Sequence, residues 1–311
     1  MSVKLSLIVP CYNEEGNVEK FLCETKEAIK AYTDSYEIIF VNDGSKDSTP
    51  KKLRKLFSEN KDVNIKVINF SRNFGKEAAM YAGFSNASGE YITIIDADLQ
   101  QDPKYAVEMA RILDSDPDCD MVAAYQAHRK EGKLLSKSKH LFYKAISKMT
   151  GIDFIGDASD FRTIRKCVAD TIIALPEYHR FSKGIFSWVG YNTVSIPYEV
   201  RDRESGETKW NLKKLVAYAV EGIMAYTDKP MKLPLYLGAI LLVISVILGV
   251  SGLFVPYYGI ISAVLFVGSL VLICQGINGA YLGKVHTQVK DRPIFITKEI
   301  LTYEDNQESD N

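Results

Sequence analysis

Apolar residues in this chain occur in short unbroken runs, separated by stretches where they recur every three or four positions. Leu5–Val9, Tyr36–Val41, Ile65–Phe70 and Tyr91–Ile95 are too short for buried helices and end in polar or turn residues, so each predicts a buried strand. Between them Val18, Phe21, Leu22, Thr25, Ala28 and Ile29 fall at helical spacing, and residues 49–59 and 76–87 also read as helices. Strands alternating with helices predict a parallel sheet. Ligands of such sheets bind beyond the carboxyl ends of the strands. Pro10–Glu14, Asp43 and the pair Asp96 and Asp98 fall at such ends and are expected to face one crevice.

After residue 230 the pattern changes. Residues 233–255 and 260–282 are almost purely apolar, each about the ~20 residues that cross a bilayer as a helix. Pro256-Tyr257-Tyr258-Gly259 between them predicts a turn. Lys229 and Lys232 precede the first stretch, Lys284, Lys290 and Arg292 follow the second, and the turn is uncharged. The positive-inside rule then predicts a two-span protein of the cell membrane with both termini in the cytoplasm. Two further stretches read as interfacial helices: one with Leu212, Leu215, Val216, Ala219, Ile223 and Met224 on one face, another with Leu134, Leu141, Phe142 and Ile146 interleaved with Lys133, Lys137, Lys139, Lys144 and Lys148. The basic one suits either an anionic membrane surface or core packing with a solvated lysine face. The expected organisation is a cytoplasmic α/β domain over residues 1–210, an interfacial helix and linker over 211–232, two membrane helices over 233–282, and a cytoplasmic tail over 283–311 whose acidic end is disordered.

Composition narrows the function classes. With 311 residues, 47% of them hydrophobic, the chain can bury a core and still have apolar sequence left for a membrane. A net charge of −1 gives no pull toward nucleic acid. The five cysteines form no CxxC pair and the four histidines no HxxxH pair, which argues against a zinc site or a disulfide framework. No signal-peptide pattern is read at the start, where the apolar run is short and followed at once by Pro10 and acidic residues.

The candidate chemistry centres on Asp96-Ala97-Asp98-Leu99-Gln100. In an extended chain residues i and i+2 share a face. Asp96 and Asp98 are therefore expected to reach one hard divalent cation, Mg²⁺ or Mn²⁺, with the Gln100 amide oxygen next on that face. Such an ion sits beside a nucleotide diphosphate. A dinucleotide or P-loop site would need a glycine-rich turn after the first strand; the chain has Pro10-Cys11-Tyr12-Asn13-Glu14-Glu15 there.

In order, Ile8–Glu15, Val41-Asn42-Asp43-Gly44-Ser45, Ser71–Ala79, Asp96–Gln100, Ser159-Asp160-Phe161-Arg162 and Gly206-Glu207-Thr208-Lys209-Trp210 resemble family 2 glycosyltransferases, specifically the polyprenyl-phosphate glycosyltransferase and dolichol-phosphate mannose synthase-like group. The chain departs from that pattern at Gln101-Asp102-Pro103 and around Asp160, where Ser159 and Thr163 stand. Processive polysaccharide synthases share the N-terminal motifs but carry QxxRW, where this chain has Glu177–Ser182. The resemblance implies an α/β fold of GT-A type, a Rossmann-like, mixed but mostly parallel sheet, followed by a C-terminal two-helix transmembrane hairpin. It also implies inverting transfer of a hexose, with glucose or N-acetylglucosamine favoured, from a UDP-sugar to undecaprenyl or another polyprenyl phosphate at the cytoplasmic membrane face. The alternatives are a GDP-mannose-dependent synthase of the dolichol-phosphate-mannose type and a non-enzymatic membrane adaptor on a transferase fold.

The resemblance also distributes roles. The nucleotide sugar falls to Pro10, Tyr12, Asn13, Glu14, Asp43, Gly44, Lys76, Asp96 and Lys209, and the metal to Asp96, Asp98 and Gln100. The acceptor phosphate falls to Arg129, Lys137, Lys139, Arg162 and Arg203, with Arg162 alternatively buttressing Asp160. Asp96, Asp98, Arg129 and Lys209 carry the catalysis, and Asp160 orients sugar hydroxyls. A phosphate monoester is already ionised and attacks without a general base. A homo-oligomer is expected, as are a separate flippase and a second glycosyltransferase acting on the product.

Overall fold

The computed structural model describes residues 3–126, 158–201, 236–237, 240 and 257–303. The first four strands are β1 (Leu5–Cys11), β2 (Tyr36–Asn42), β3 (Asn64–Phe70) and β4 (Tyr91–Ile94), separated by helices α1 (Val18–Lys30), α2 (Thr49–Glu59) and α3 (Lys76–Asn86). After α4 (Lys104–Ser115) come β5 (Met121–Gln126), β6 (Ala158–Arg165), α5 (Lys166–Ala174), α6 (Ser182–Trp188) and β7 (Thr193–Tyr198). A long helix α7 (Tyr257–Val289) and a last strand β8 (Thr297–Leu301) follow.

The described strands form one sheet in the order β7-β5-β6-β4-β1-β2-β3-β8. Strands β1 to β4 pair in parallel, and β6 and β8 run antiparallel to their neighbours. Leu7, Ile8, Val9, Ile38, Ile39, Phe40 and Val41 are all fully buried, as continuous apolar runs require in a sheet covered on both faces. Each such side chain contributes about 1.5–3 kcal/mol of burial. Helix α3 lies very close to β1: a Cβ on Gly83 would stand 2.2 Å from Ile8 Cγ2. That approach seats α3, which begins at Lys76, against β1.

The order of strands reverses beside β1, and there the sheet opens. Ile8 O accepts from Ile95 N (3.0 Å), so Ile8 and Pro10 face the β4 side, whereas Cys11 O accepts from Asp43 N (2.9 Å) on the β2 side. Beta-4 ends at Ile94, paired with Ile8. Proline within a central strand is tolerated here because its missing N–H points where β4 has already turned away.

Two sequence expectations change, and a third is met in part. Strand β4 stops before Asp96, and residues 97–100 form a turn with Leu99 in the left-handed region (φ 60°), so Asp96 and Asp98 are not neighbours on one strand face. Residues 283–311 are not simply a tail. Helix α7 runs to Val289, and Asp291 (φ 48°) turns the chain out of it. Beta-8 then pairs with β3 (Val67 with Leu301, Ile68 with Ile300, Asn69 with Glu299). The Tyr303 ring stacks on Phe57 at 4.6 Å, and its hydroxyl donates to Phe57 O (2.9 Å) and Asn60 O (3.0 Å). Third, of the expected hairpin one helix is seen: among the described residues only 266–289 are long and apolar enough to cross a membrane, with mean hydropathy 1.4 over an 18-residue stretch. Nearly all of the first stretch, 233–255, and both interfacial segments lie outside the described residues. Residues 293–303 group with the sheet, and α7 groups separately.

Candidate active site

The carboxyl ends of β1, β2 and β4 and the start of α3 enclose a cleft of about 320 Å³, in the size range of small-molecule sites. Pro10, Tyr12, Glu14, Asp43, Lys76, Asp96 and Asp98 line it, as the sequence predicts. Cys11, Asn73, Gly75, Ala79 and Ala97 also line it and were not singled out from the sequence.

The loop after β1 and the loop after β2 are laced together. Asn13, in the left-handed region (φ 58°), donates its N–H to Ser45 Oγ (3.0 Å) and accepts from Lys46 N at Oδ1 (2.9 Å). Glu14 N donates to Thr49 Oγ1 (2.9 Å), and Ser48 N donates to Glu15 Oε2 (2.8 Å). Asp43, 3% exposed, accepts from Phe74 N (2.6 Å) and Gly75 N (2.9 Å), which brings residues 71–75 into the same wall. Burial raises the Asp43 carboxyl above its usual range, partly offset by these two N–H groups. Gly44 (φ 62°) makes this closeness possible, since a Cβ there would lie 2.3 Å from Arg72 C.

At the opposite wall, Lys76 Nζ bridges Asp96 (2.6 Å) and Asp160 (3.2 Å). Burial would depress the lysine pKa, but Asp96 and Asp160 outweigh it and hold it above the ordinary value. Gln101, rather than Gln100, lies against Asp96: its Oε1 accepts from Asp96 N (2.9 Å). Gln100 instead gives its carbonyl to Arg201 N (3.1 Å), and the Arg201 guanidinium reaches Glu24 (2.5 Å) and Asp102 (2.6 Å), tying the end of the β7 segment to the acidic turn. Asp98 Oδ1 accepts from Gln100 N (3.2 Å).

Behind Asp160 lies a buried charge cluster that the sequence did not reveal as a unit. Arg162 is 4% exposed, with its guanidinium 3.7 Å from the Phe186 ring centroid. It lies two residues from Asp160 on β6 and acts on that carboxylate through its charge. Burial lowers the Arg162 pKa to about 10 against the pull of Asp160 and Glu77. Burial would raise the Asp160 carboxyl, yet Lys76, Lys183 and Arg162 hold it below its usual value, so Asp160 stays ionised at neutral pH. Glu77 accepts from Ser182 N at both carboxylate oxygens (3.1 and 3.0 Å) and from the Ser182 hydroxyl.

Burial pushes Glu77 up to about 7, with the Ser182 hydroxyl opposing and Asp160 adding to the shift. Its folded pKa thus exceeds the ordinary 4.5, so the folded chain holds more protons between those values and stability falls as pH rises through that window. Glu77→Gln keeps an acceptor for Ser182 and removes the titration. Thermal melts at pH 5 and pH 8 are expected to show wild type losing up to about 3 kcal/mol across the window while the variant stays nearly flat. Equal slopes would disprove the assignment.

Arg129, Lys137, Lys139, Arg203 and Lys209 lie outside the described residues. Of the described candidates, Asn13 and Gly44 shape the cleft through their backbone, and Gln100 and Arg162 are not among the residues that line it.

The mixed sheet is of GT-A type, as in the structure of glucosyl-3-phosphoglycerate synthase from Mycobacterium tuberculosis in complex with Mn²⁺, uridine diphosphate and phosphoglyceric acid (TM-score 0.50, 16% identity, 71% of this chain and 76% of that one). The family model described as Glycosyl transferase family 2 matches residues 6–173, and the chain belongs to that family. It is 37% identical to a glycosyltransferase of Synechocystis over 96% of both chains. It is 35% identical to the bactoprenol glucosyl transferase of Shigella phage SfII, over 96% of this chain and 98% of that one.

Proposed function

We propose that this glycosyltransferase moves glucose from UDP-glucose to a polyprenyl phosphate, with inversion at the anomeric carbon. The carrying observation is 35% identity over nearly the whole chain, through the apolar C-terminal part, to proteins named bactoprenol glucosyl transferase. The cleft supports a nucleotide donor: the Asp43 and Asn13 loops on one side suit a base and ribose, and Lys76 with the Asp96 turn on the other suits a diphosphate. The donor set at the turn is two carboxylates, and among the described residues no cluster of three or more His, Cys, Asp or Glu could hold a metal alone. That fits Mg²⁺ or Mn²⁺, which complete their shells with phosphate oxygens and water. Bound by Asp96 and Asp98, the ion would supply positive charge to the departing diphosphate.

The acceptor phosphate oxygen attacks the anomeric carbon, a new carbon–oxygen bond forms, and the bond to uridine diphosphate breaks with its electron pair leaving on the diphosphate. No proton needs removing, which accords with an Asp160 held ionised by three cations and so a weak base. Its role in this reading is to orient sugar hydroxyls. Arg129, with Lys137 and Lys139, would hold the acceptor phosphate in line, and Lys209 and Arg203 would close over the donor.

We place the enzyme on the membrane with two spans and the catalytic sheet in the cytoplasm. Besides the lysine distribution, β8 supports this topology. The chain leaves the sheet after Arg201 and returns to it at Thr297, so any membrane crossings in between are even in number. A homo-oligomer, a flippase and a second transferase belong to the same reading by analogy.

The test is transfer of radiolabel from UDP-glucose, UDP-N-acetylglucosamine and GDP-mannose to undecaprenyl phosphate, with Mn²⁺ or EDTA. The expected result is metal-dependent lipid label from UDP-glucose. Label from GDP-mannose alone would favour the mannose-synthase alternative, and folded protein inactive with every donor would sink the acceptor assignment.

A further inference from the structure

We propose that the segment following α7, residues 293–301, is a positioning element of the donor cleft, with Glu299 setting the geometry of the loops that hold the nucleotide. The inference rests on the donor reading given above and extends it to residues far from the cleft in sequence.

Two independent routes connect this segment to the cleft. The first is a hydrogen-bond chain. Glu299 Oε2 on β8 accepts from Asn69 Nδ2 (2.8 Å), and Asn69 Oδ1 accepts from Asn42 Nδ2 (2.8 Å). Asn42 Oδ1 accepts from Ser45 N (3.1 Å), and Ser45 Oγ accepts from Asn13 N (3.0 Å). A carboxylate is acceptor-only, so it forces Asn69 to present its NH₂ outward and its oxygen inward. That sets the orientation of Asn42 in turn. Asn42 and Asn69 are 2% and 3% exposed, so reversing either amide would bury like groups face to face at the cost of unmade hydrogen bonds. Arg54 keeps Glu299 ionised: its hydrogen bonds hold the carboxyl below its ordinary range, and its Nη2 lies 2.8 Å away.

The second route is packing and backbone. Ile296 O accepts from Ser71 N (3.0 Å), and the Phe295 ring stacks on Phe70 at 4.8 Å. Phe70 meets Phe74 edge-on at 5.8 Å, and Phe74 N is one of the two donors to Asp43. Asp43 and Ser45 are thus braced by residues contributed after the apolar helix.

The experiment uses the full chain in lipid nanodiscs. UDP affinity is measured by calorimetry with Mn²⁺, and loop order by amide hydrogen exchange. Glu299→Leu removes the terminal acceptor. Glu299 is a third exposed on an edge strand (32%), and Glu299→Ala serves if the leucine variant does not fold. UDP binding is expected to weaken about tenfold, the scale of one lost hydrogen bond, with faster exchange in residues 12–16 and 43–46. Glu299→Gln still accepts from Asn69 and is expected to bind within about twofold of wild type. Lys298→Ala, on the exposed face of β8, is the control.

Wild-type affinity and exchange in Glu299→Leu would overturn the proposal, and so would a Glu299→Gln variant as impaired as the leucine one. If wild type binds no UDP, the donor reading fails by itself. The exchange arm then decides: faster loop exchange in the leucine but not the glutamine variant upholds the coupling, and unchanged exchange overturns it.

Discussion

Asp98→Ala is expected to cut sugar transfer at least ~100-fold while leaving the protein folded. Asp98 lines the cleft in the acidic turn, where its Oδ1 accepts from Gln100 N. Asp96 also holds Lys76 and is buttressed by Gln101, so its removal would disturb the Asp160 side of the cleft as well. Initial rates over a range of Mn²⁺ and donor concentrations, beside a thermal melt, make the measurement. The loss should fall on kcat if Asp98 holds the metal as proposed, because the charge to be stabilised grows as the diphosphate departs. A variant with wild-type rate would remove Asp98 from the metal assignment.

Gly44→Ala is expected to be the most destabilising single substitution in the cleft, by on the order of 3 kcal/mol. An alanine in the left-handed region costs about 1–2 kcal/mol. The added Cβ would also stand 2.3 Å from Arg72 C and 2.5 Å from Asn73 N, which are backbone atoms with no rotamer to change. To relieve that contact, residues 72–75 must retreat from Asp43, so the two N–H groups it accepts from are pulled away. Urea melts should show the drop in midpoint. UDP affinity should fall even where the variant is folded. A wild-type midpoint would mean that the two loops part more easily than their hydrogen bonds indicate.

The sequence was most legible where the chain is most buried. Beta-1 to β3 and helices α1 to α3 follow from apolar runs and helical spacing, because strands covered on both faces have little alternative pattern. The acidic turn was legible as part of the cleft but not in its geometry: nothing in Asp96–Gln100 announces that β4 ends at Ile94 or that Leu99 turns left-handed. Beta-5, β6 and β7 carry mixed polar and apolar positions and lie on the antiparallel side of the sheet, where periodicity is weak. Beta-8 is five residues, Thr297–Leu301, two of them charged, and its apolar positions acquire meaning only from β3 beside them. In the charge cluster, Glu77 and Ser182 are 105 positions apart. Their proximity is a property of how α3 and α6 pack, which no local signal encodes.

The place of β8 in the sheet also bears on how the protein is made. Among the described strands it is the last to leave the ribosome, after the apolar helix has been synthesised. Until then β3 presents an open edge of unpaired N–H and C=O groups, the kind of edge that invites pairing with another chain. Its closure joins residues about 230 positions apart (Asn69 and Glu299), a long-range contact that forms late in a folding sequence. Completion of the catalytic sheet is thereby scheduled behind synthesis of the apolar segment, and a chain stopped short of residue 297 would keep that edge uncovered.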